Sequence, residues 1–133
     1  VTSWREPDLA YAAGYLDGEG CFTVGDNWRI FVTCTNTCRE AIEWLRDVFG
    51  GTVSGPSKVS KANWRPTFQW KITARQAATF IEALLPYLRE KKPQAELLLQ
   101  LQATMGSGGR VPPEVLAQRQ ALKEKVKELK RAN

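Results

Sequence analysis

The sequence predicts an α+β fold in the order αββαββα, a four-stranded antiparallel sheet with helices on one side and extra helices at the C-terminal end. Three observations carry this prediction. Short stretches of alternating apolar and polar residues come in two pairs, each joined by turn-forming residues. Segments with helical apolar spacing precede each pair and follow the second. The 133 residues, 43% hydrophobic and 10% aromatic, fit one compact domain over 1–133, with a core of about 7–105 and a terminal helix of about 112–131.

The first helix is expected from Pro7 to Gly18. Pro7 suits a first helical position, Asp8 suits the positive end of the helix dipole, and Gly18 and Gly20 should stop it. Cys21 to Val24 and Trp28 to Thr35 read as strands joined by Gly25-Asp26-Asn27. Thr37 to Phe49 is a second helix, with Thr37 and Glu40 spaced as a capping box and Gly50-Gly51 ending it. Thr52 to Val59 and Trp64 to Ile72 read as the second strand pair, joined by Ser60 to Asn63. In its last strand Trp64, Phe68, Trp70 and Ile72 alternate with Arg65, Thr67, Gln69 and Lys71. Thr73 and Gln76 form another capping box, opening a helix to about Leu88, and Pro93 begins the next. Gly106 to Gly109 is a flexible break, and Pro112-Pro113 opens a charged terminal helix whose Arg119, Lys123, Lys125, Lys127, Lys130 and Arg131 are expected to be solvated.

The net charge of +5 leans toward a polyanionic partner. Histidine is absent, which excludes Ser-His and Cys-His nucleophiles and zinc–histidine hydrolysis. Any catalysis must use carboxylates, lysines and a bound metal. Cys21, Cys34 and Cys38 are too few and wrongly spaced for a disulfide framework or a zinc site. No apolar run reaches membrane-spanning length and the polar start lacks a signal-peptide core, so a soluble, cytoplasmic (or organellar) protein without membrane contact is expected.

The most specific stretch is Ala12-Ala13-Gly14-Tyr15-Leu16-Asp17-Gly18-Glu19-Gly20. It is a helix ending in glycines that bracket an acid. Ala10, Ala13, Gly14 and Asp17 recur at three- and four-residue spacing, where small side chains let a second helix approach closely. Two such helices packed in parallel would bring two Glu19 carboxylates together, an arrangement that a divalent cation relieves.

This stretch resembles the LAGLIDADG motif, with Ala12 replacing its first leucine and its two acids falling on Asp17 and Glu19; the chain is similar to single-motif homing endonucleases. The resemblance implies an intron-encoded, homodimeric hydrolase that makes a Mg2+-dependent double-strand break in a long, nearly palindromic DNA site, read by a concave saddle of strands. It implies Glu19 and the Gly18 carbonyl as metal ligands and Asp17 as an orienting acid. It implies Lys91 as a catalytic lysine in the loop before the fourth helix, with Lys92 close behind. A polar residue ending the second strand would hold active-site water; Cys34, Thr35 and Asn36 are the candidates. By alternation, Thr23, Arg29, Thr33, Arg65, Thr67, Gln69 and Lys71 would face DNA bases, and Lys58 and Lys61 phosphates. Phe22, Val24, Ile30, Val32, Phe68, Trp70 and Ile72 would form the core. Relatives that assist intron splicing without cutting supply the alternative reading, a nucleic-acid-binding protein of the same fold.

Overall fold

A computed structural model describes residues 3–59, 61, 64–106 and 109–132. The elements are α1 (Glu6–Glu19), β1 (Gly20–Val24), a 3-10 turn (Asp26–Trp28), β2 (Ile30–Asn36), α2 (Arg39–Phe49), β3 (Thr52–Ser54), β4 (Phe68–Thr73), α3 (Ala74–Leu84), a second 3-10 turn (Leu85–Tyr87), α4 (Lys92–Ala103) and α5 (Pro113–Ala132). The strands form one antiparallel sheet in the order β1-β2-β4-β3. The expected α+β order is therefore observed, with α4 and α5 as the extra helices.

The core lies between one sheet face and the helices. Phe22, Ile30, Val32, Cys34, Trp70 and Ile72 are buried from the sheet side. They meet Leu9, Ala12, Ala13 and Leu16 of α1, Ile42, Leu45 and Phe49 of α2, and Phe80, Ile81 and Leu84 of α3. The α1 set recurs at three- and four-residue intervals, which gives that helix one inward stripe. Aromatic contacts tie α2 to α3: Phe49 meets Phe80 with centroids 4.8 Å apart, and Trp4 stands edge-on to both at 5.3 and 6.0 Å. The Trp4 and Trp70 indole N–H groups donate to Val48 O at 3.0 Å and Gly50 O at 2.8 Å, so neither is buried unpaired.

Several expectations need correction. Helix α1 does not stop at Gly18 but runs to Glu19, and the chain passes directly into β1. Trp28 is not in a strand: it lies in the turn with φ +56°, and its indole donates to Gln120 of α5. Neither capping box forms. Cys38 rather than Thr37 is the N-cap of α2, with Asn36 Oδ1 accepting from its N–H at 3.0 Å in the turn ahead of the helix, while Thr73 makes no capping bond at the start of α3.

The second strand pair is shorter than predicted. β3 ends at Ser54 and β4 begins at Phe68, so Lys58, Val59, Trp64 and Arg65 belong to the connection, and Trp64 is 52% exposed rather than core. The polar alternation continued past the point where a partner strand was within pairing reach. Of the predicted turn only Lys61 is described; Ser60, Ala62 and Asn63 lie outside the described residues, as do Ser107 and Gly108 of the predicted break. Helix α5 is docked rather than fully solvated. Leu122 and Val126 are buried, and Arg119, 7% exposed, donates to Thr104 Oγ1 and O at 3.0 and 2.9 Å. A cationic helix can dock because its charged stems surround a narrow apolar stripe. Among the described residues no helix is long and apolar enough to cross a membrane.

Candidate active site

The last turn of α1 leaves carbonyls without helical partners, a locus of partial negative charge. α1 has no basic residue in that turn. Lys91 supplies the charge from the segment joining α3 to α4: its Nζ donates to Leu16 O at 3.1 Å and also to Gly20 O. Asp17 fixes the same segment. Its Oδ2 accepts from the Arg89 N–H at 2.9 Å and its Oδ1 from the Lys91 N–H at 3.0 Å. Gly20 is obligatory for steric reasons, since an added Cβ would lie 2.7 Å from Leu16 Cδ2 and 2.9 Å from Leu16 O.

The neighbouring acid behaves differently. Glu19 is exposed and makes no hydrogen bond or ion pair among the described residues. Across the sheet Gly20 pairs with Cys34, and because Gly20 has no side chain the thiol is left beside the acid. Burial pushes the Cys34 thiol from 9.0 up to about 11, with the Glu19 carboxylate adding to the shift and Lys91 opposing it. Cys34 is therefore a neutral group in this corner. Tyr15, one turn before Glu19, is pushed from 10.0 to about 12, first by burial and then by Cys34, Glu19, Cys38 and Tyr11. Its hydroxyl is sealed from solvent with no partner among the described residues.

Glu19, Asp17, Lys91 and Cys34 thus come together. The other candidates for the end of the second strand do not join them. Thr35 lies on the opposite sheet face, where Gln69 Nε2 donates to its Oγ1 at 3.3 Å, and Asn36 Oδ1 is taken up by the Cys38 N–H in the turn before α2. Lys92 is exposed on the first turn of α4 and joins none of these contacts. Sequence reasoning left Cys34 undecided and did not single out Tyr15. The signals were present: Ile30, Val32 and Cys34 share a strand face, and Tyr15 precedes Glu19 by one helical turn.

The expected dimer face also needs revision. Ala13 is fully buried in this chain's core and cannot meet a second helix, and Asp17 turns toward Arg89 and Lys91. The outer side of α1 instead carries Pro7, Ala10, Tyr11, Gly14 and Gly18, all exposed. A Cβ added at Gly14 or Gly18 would meet nothing within 4 Å, so nothing within this chain requires either glycine to be small.

The second sheet face is open. By register it carries Thr23, Phe31 and Thr73 in one row, Cys21, Thr33, Lys71 and Thr52 in the next, and Thr35, Gln69 and Ser54 in the third. Of the predicted reading residues, Thr23, Thr33, Gln69 and Lys71 share this surface. Lys71 Nζ stands 4.3 Å over the Phe31 ring, and Lys130 Nζ of α5 donates to Thr23 Oγ1 at 3.1 Å. Arg29 lines a cleft of about 580 Å3 at the end of the sheet. Thr67 is tied to Ser57 by three bonds of 2.9 Å. Lys58, Lys61 and Arg65 are exposed in the β3–β4 connection, so Arg65 stands off the sheet face.

No protein-family model and no curated protein matches the sequence. Solved structures do. The chain is 24% identical to the homing endonuclease I-CvuI, solved with a DNA target in the presence of Mg, over 93% of this chain and 82% of that one, with a TM-score of 0.77. It is 16% identical to the archaeal intron-encoded homing endonuclease I-Vdi141I, solved with DNA, over 93% and 84%, with a TM-score of 0.75. It is 17% identical to the LAGLIDADG homing endonuclease I-GzeII, also solved with its DNA target, with a TM-score of 0.69. There it covers 91% of this chain but only 44% of that one. The fold is that of the LAGLIDADG homing endonucleases.

Proposed function

We propose that the chain is one subunit of a homodimeric, divalent-metal-dependent DNA endonuclease that cuts a long, nearly palindromic site. The observation that carries this reading is the division of labour at the end of α1. Asp17 is used up in holding the Lys91 segment, while Glu19 stands free beside it on a fold shared with homing endonucleases solved on DNA.

The residues present fit a hard divalent cation in part. Glu19 offers an unpaired anionic oxygen, and Gly18 lies among the last residues of α1, whose carbonyls have no helical partner. Among the described residues no group of three acidic or thiol side chains could hold a metal alone, so the remaining donors must come from a second chain, from phosphate or from water. A divalent cation, Mg2+ in the first instance, would polarise the phosphate and lower the pKa of attacking water. Lys91 keeps its ammonium at the carbonyl end of α1, where it can offset negative charge developing on a nearby phosphate. Cys34, neutral and buried, lends no competing charge.

Two features support pairing of two copies. The outer side of α1 carries exposed Gly14 and Gly18, whose smallness this chain's own packing does not require, and the chain matches a little under half of I-GzeII. A two-fold pair would place two open sheet faces along one duplex, which implies a nearly palindromic target. The splicing-cofactor alternative would leave the free acid at Glu19 without a task. The test is cleavage of a pool of random long duplexes with Mg2+, repeated with a chelator. Cutting that is lost on chelation is expected; retained DNA binding with no cutting in any divalent cation would overturn the nuclease reading and leave the binding one.

A further inference from the structure

Beside the Lys91 corner lies a second cleft of about 210 Å3, lined by Gly20, Cys21, Phe22, Lys91, Gln94 and Lys130. Three elements distant in sequence build it: the start of β1, the first turn of α4, and the last turn of α5. Its polar groups are of one kind. Lys91 and Lys130 are cationic, no carboxylate among the described residues lines the cleft, and the N-terminal end of the 12-residue helix α4 adds the positive end of its dipole.

Gln94 is the unexpected member. It occupies the first turn of α4, is only 4% exposed, and its side chain makes no hydrogen bond among the described residues. The residue is packed while its amide lines the cleft without a protein partner among the described residues, and a leucine would suit a purely apolar site better. Its N–H groups can donate to an anion, and Lys130 is held over the same region by its bond to Thr23. A basic cleft with an unpartnered amide donor in its lining has the chemistry of an oxyanion seat.

We propose that this cleft seats a phosphate of the bound DNA strand other than the one to be cut, with Gln94 donating to it and Lys91 and Lys130 supplying charge. The proposal rests on the DNA-binding reading above and adds a role for α5, whose basic face the motif does not cover. Such a seat fixes the register of the strand against Glu19 without reading a base.

The test uses the full chain with inorganic phosphate as probe, followed by NMR. Phosphate should shift the Gln94 side-chain amide and the Gly20 and Cys21 backbone amides, and Gln94→Glu should abolish these shifts. With a random-sequence duplex, Gln94→Glu should weaken binding at least about tenfold, and Lys130→Gln should reduce the slope of log affinity against log salt by about one. Gln94→Met, which keeps shape without donors, should melt like the wild type yet lose the phosphate shifts, which separates donation from folding. Phosphate shifts in a protein that binds no DNA would overturn the DNA-strand seat together with the endonuclease reading, whereas DNA binding without phosphate shifts would overturn the seat alone. The proposal is overturned if phosphate leaves the cleft amides unmoved, or if Gln94→Glu folds and binds DNA as the wild type does.

Discussion

The inner and outer sides of the last two turns of α1 carry the same kinds of residue and have opposite fates. On the inner side Asp17 accepts from two backbone N–H groups, Ala13 is sealed in the core, and Tyr15 buries its hydroxyl. On the outer side Gly14 and Gly18 face open space and Glu19 is bound to nothing among the described residues. A side chain spent on internal bonds serves stability; one left free at the surface has no stability role to lose. Substitutions on the two sides should therefore separate stability from activity.

The largest effect belongs to Glu19→Gln. Removing even groups that only orient a metal ligand costs about 10–100-fold, so removing the proposed ligand itself should reduce cleavage by more than about a hundredfold. Melting temperature should not fall, and DNA affinity should hold or rise as negative charge leaves the phosphate path. Cutting at near wild-type rate in Mg2+ would show that the active site has been misassigned.

Gly14→Leu should act next most strongly and on assembly alone. The added side chain meets nothing in its own chain, so the monomer should melt normally, whereas sedimentation should show loss or distortion of the dimer and cleavage should drop with it. Wild-type protein that is fully active as a monomer at micromolar concentration would break the comparison on its outer side.

Asp17→Asn should do the reverse. An amide nitrogen cannot accept, so one of the Arg89 and Lys91 N–H groups loses its partner, at about 1–3 kcal/mol. Thermal melting should fall by a few degrees, with cleavage reduced less than by Glu19→Gln. Tyr15→Phe sharpens the same side: removing a sealed, unpartnered hydroxyl should leave stability unchanged or slightly higher in a denaturant titration. A clear loss of stability would reveal a partner for that hydroxyl in the assembled protein.

The smallest effect concerns pH. Cys34 is raised from 9.0 to about 11, so the folded state holds its proton more tightly than the unfolded chain. Its contribution to stability is complete below pH 9 and is lost as pH rises toward 11. Cys34→Ser should flatten the fall in stability across that window. At pH 8, mass spectrometry after brief alkylation should show Cys38, which is exposed, modified before buried Cys34.

Local pattern determined much of this protein. The α1 stretch with its two acids, the element order, the Gly50-Gly51 stop and the inward residues of β1, β2 and β4 follow from spacing and turn chemistry, which depend on near neighbours alone. The length of β3, the start of β4 and the exposure of Trp64 did not follow, because a strand ends where its partner ends and not where its own alternation ends. Nor did the sides of α1: helical spacing marks a stripe of small residues, but whether Ala13 or Gly18 faces the core depends on which elements pack there. The choice of Cys34 over Thr35 and Asn36, the capping of α1 by Lys91 from more than seventy residues away, and the meeting of Gln94 with Lys130 were decided by tertiary packing. Contacts between segments distant in sequence leave no periodic mark on either one.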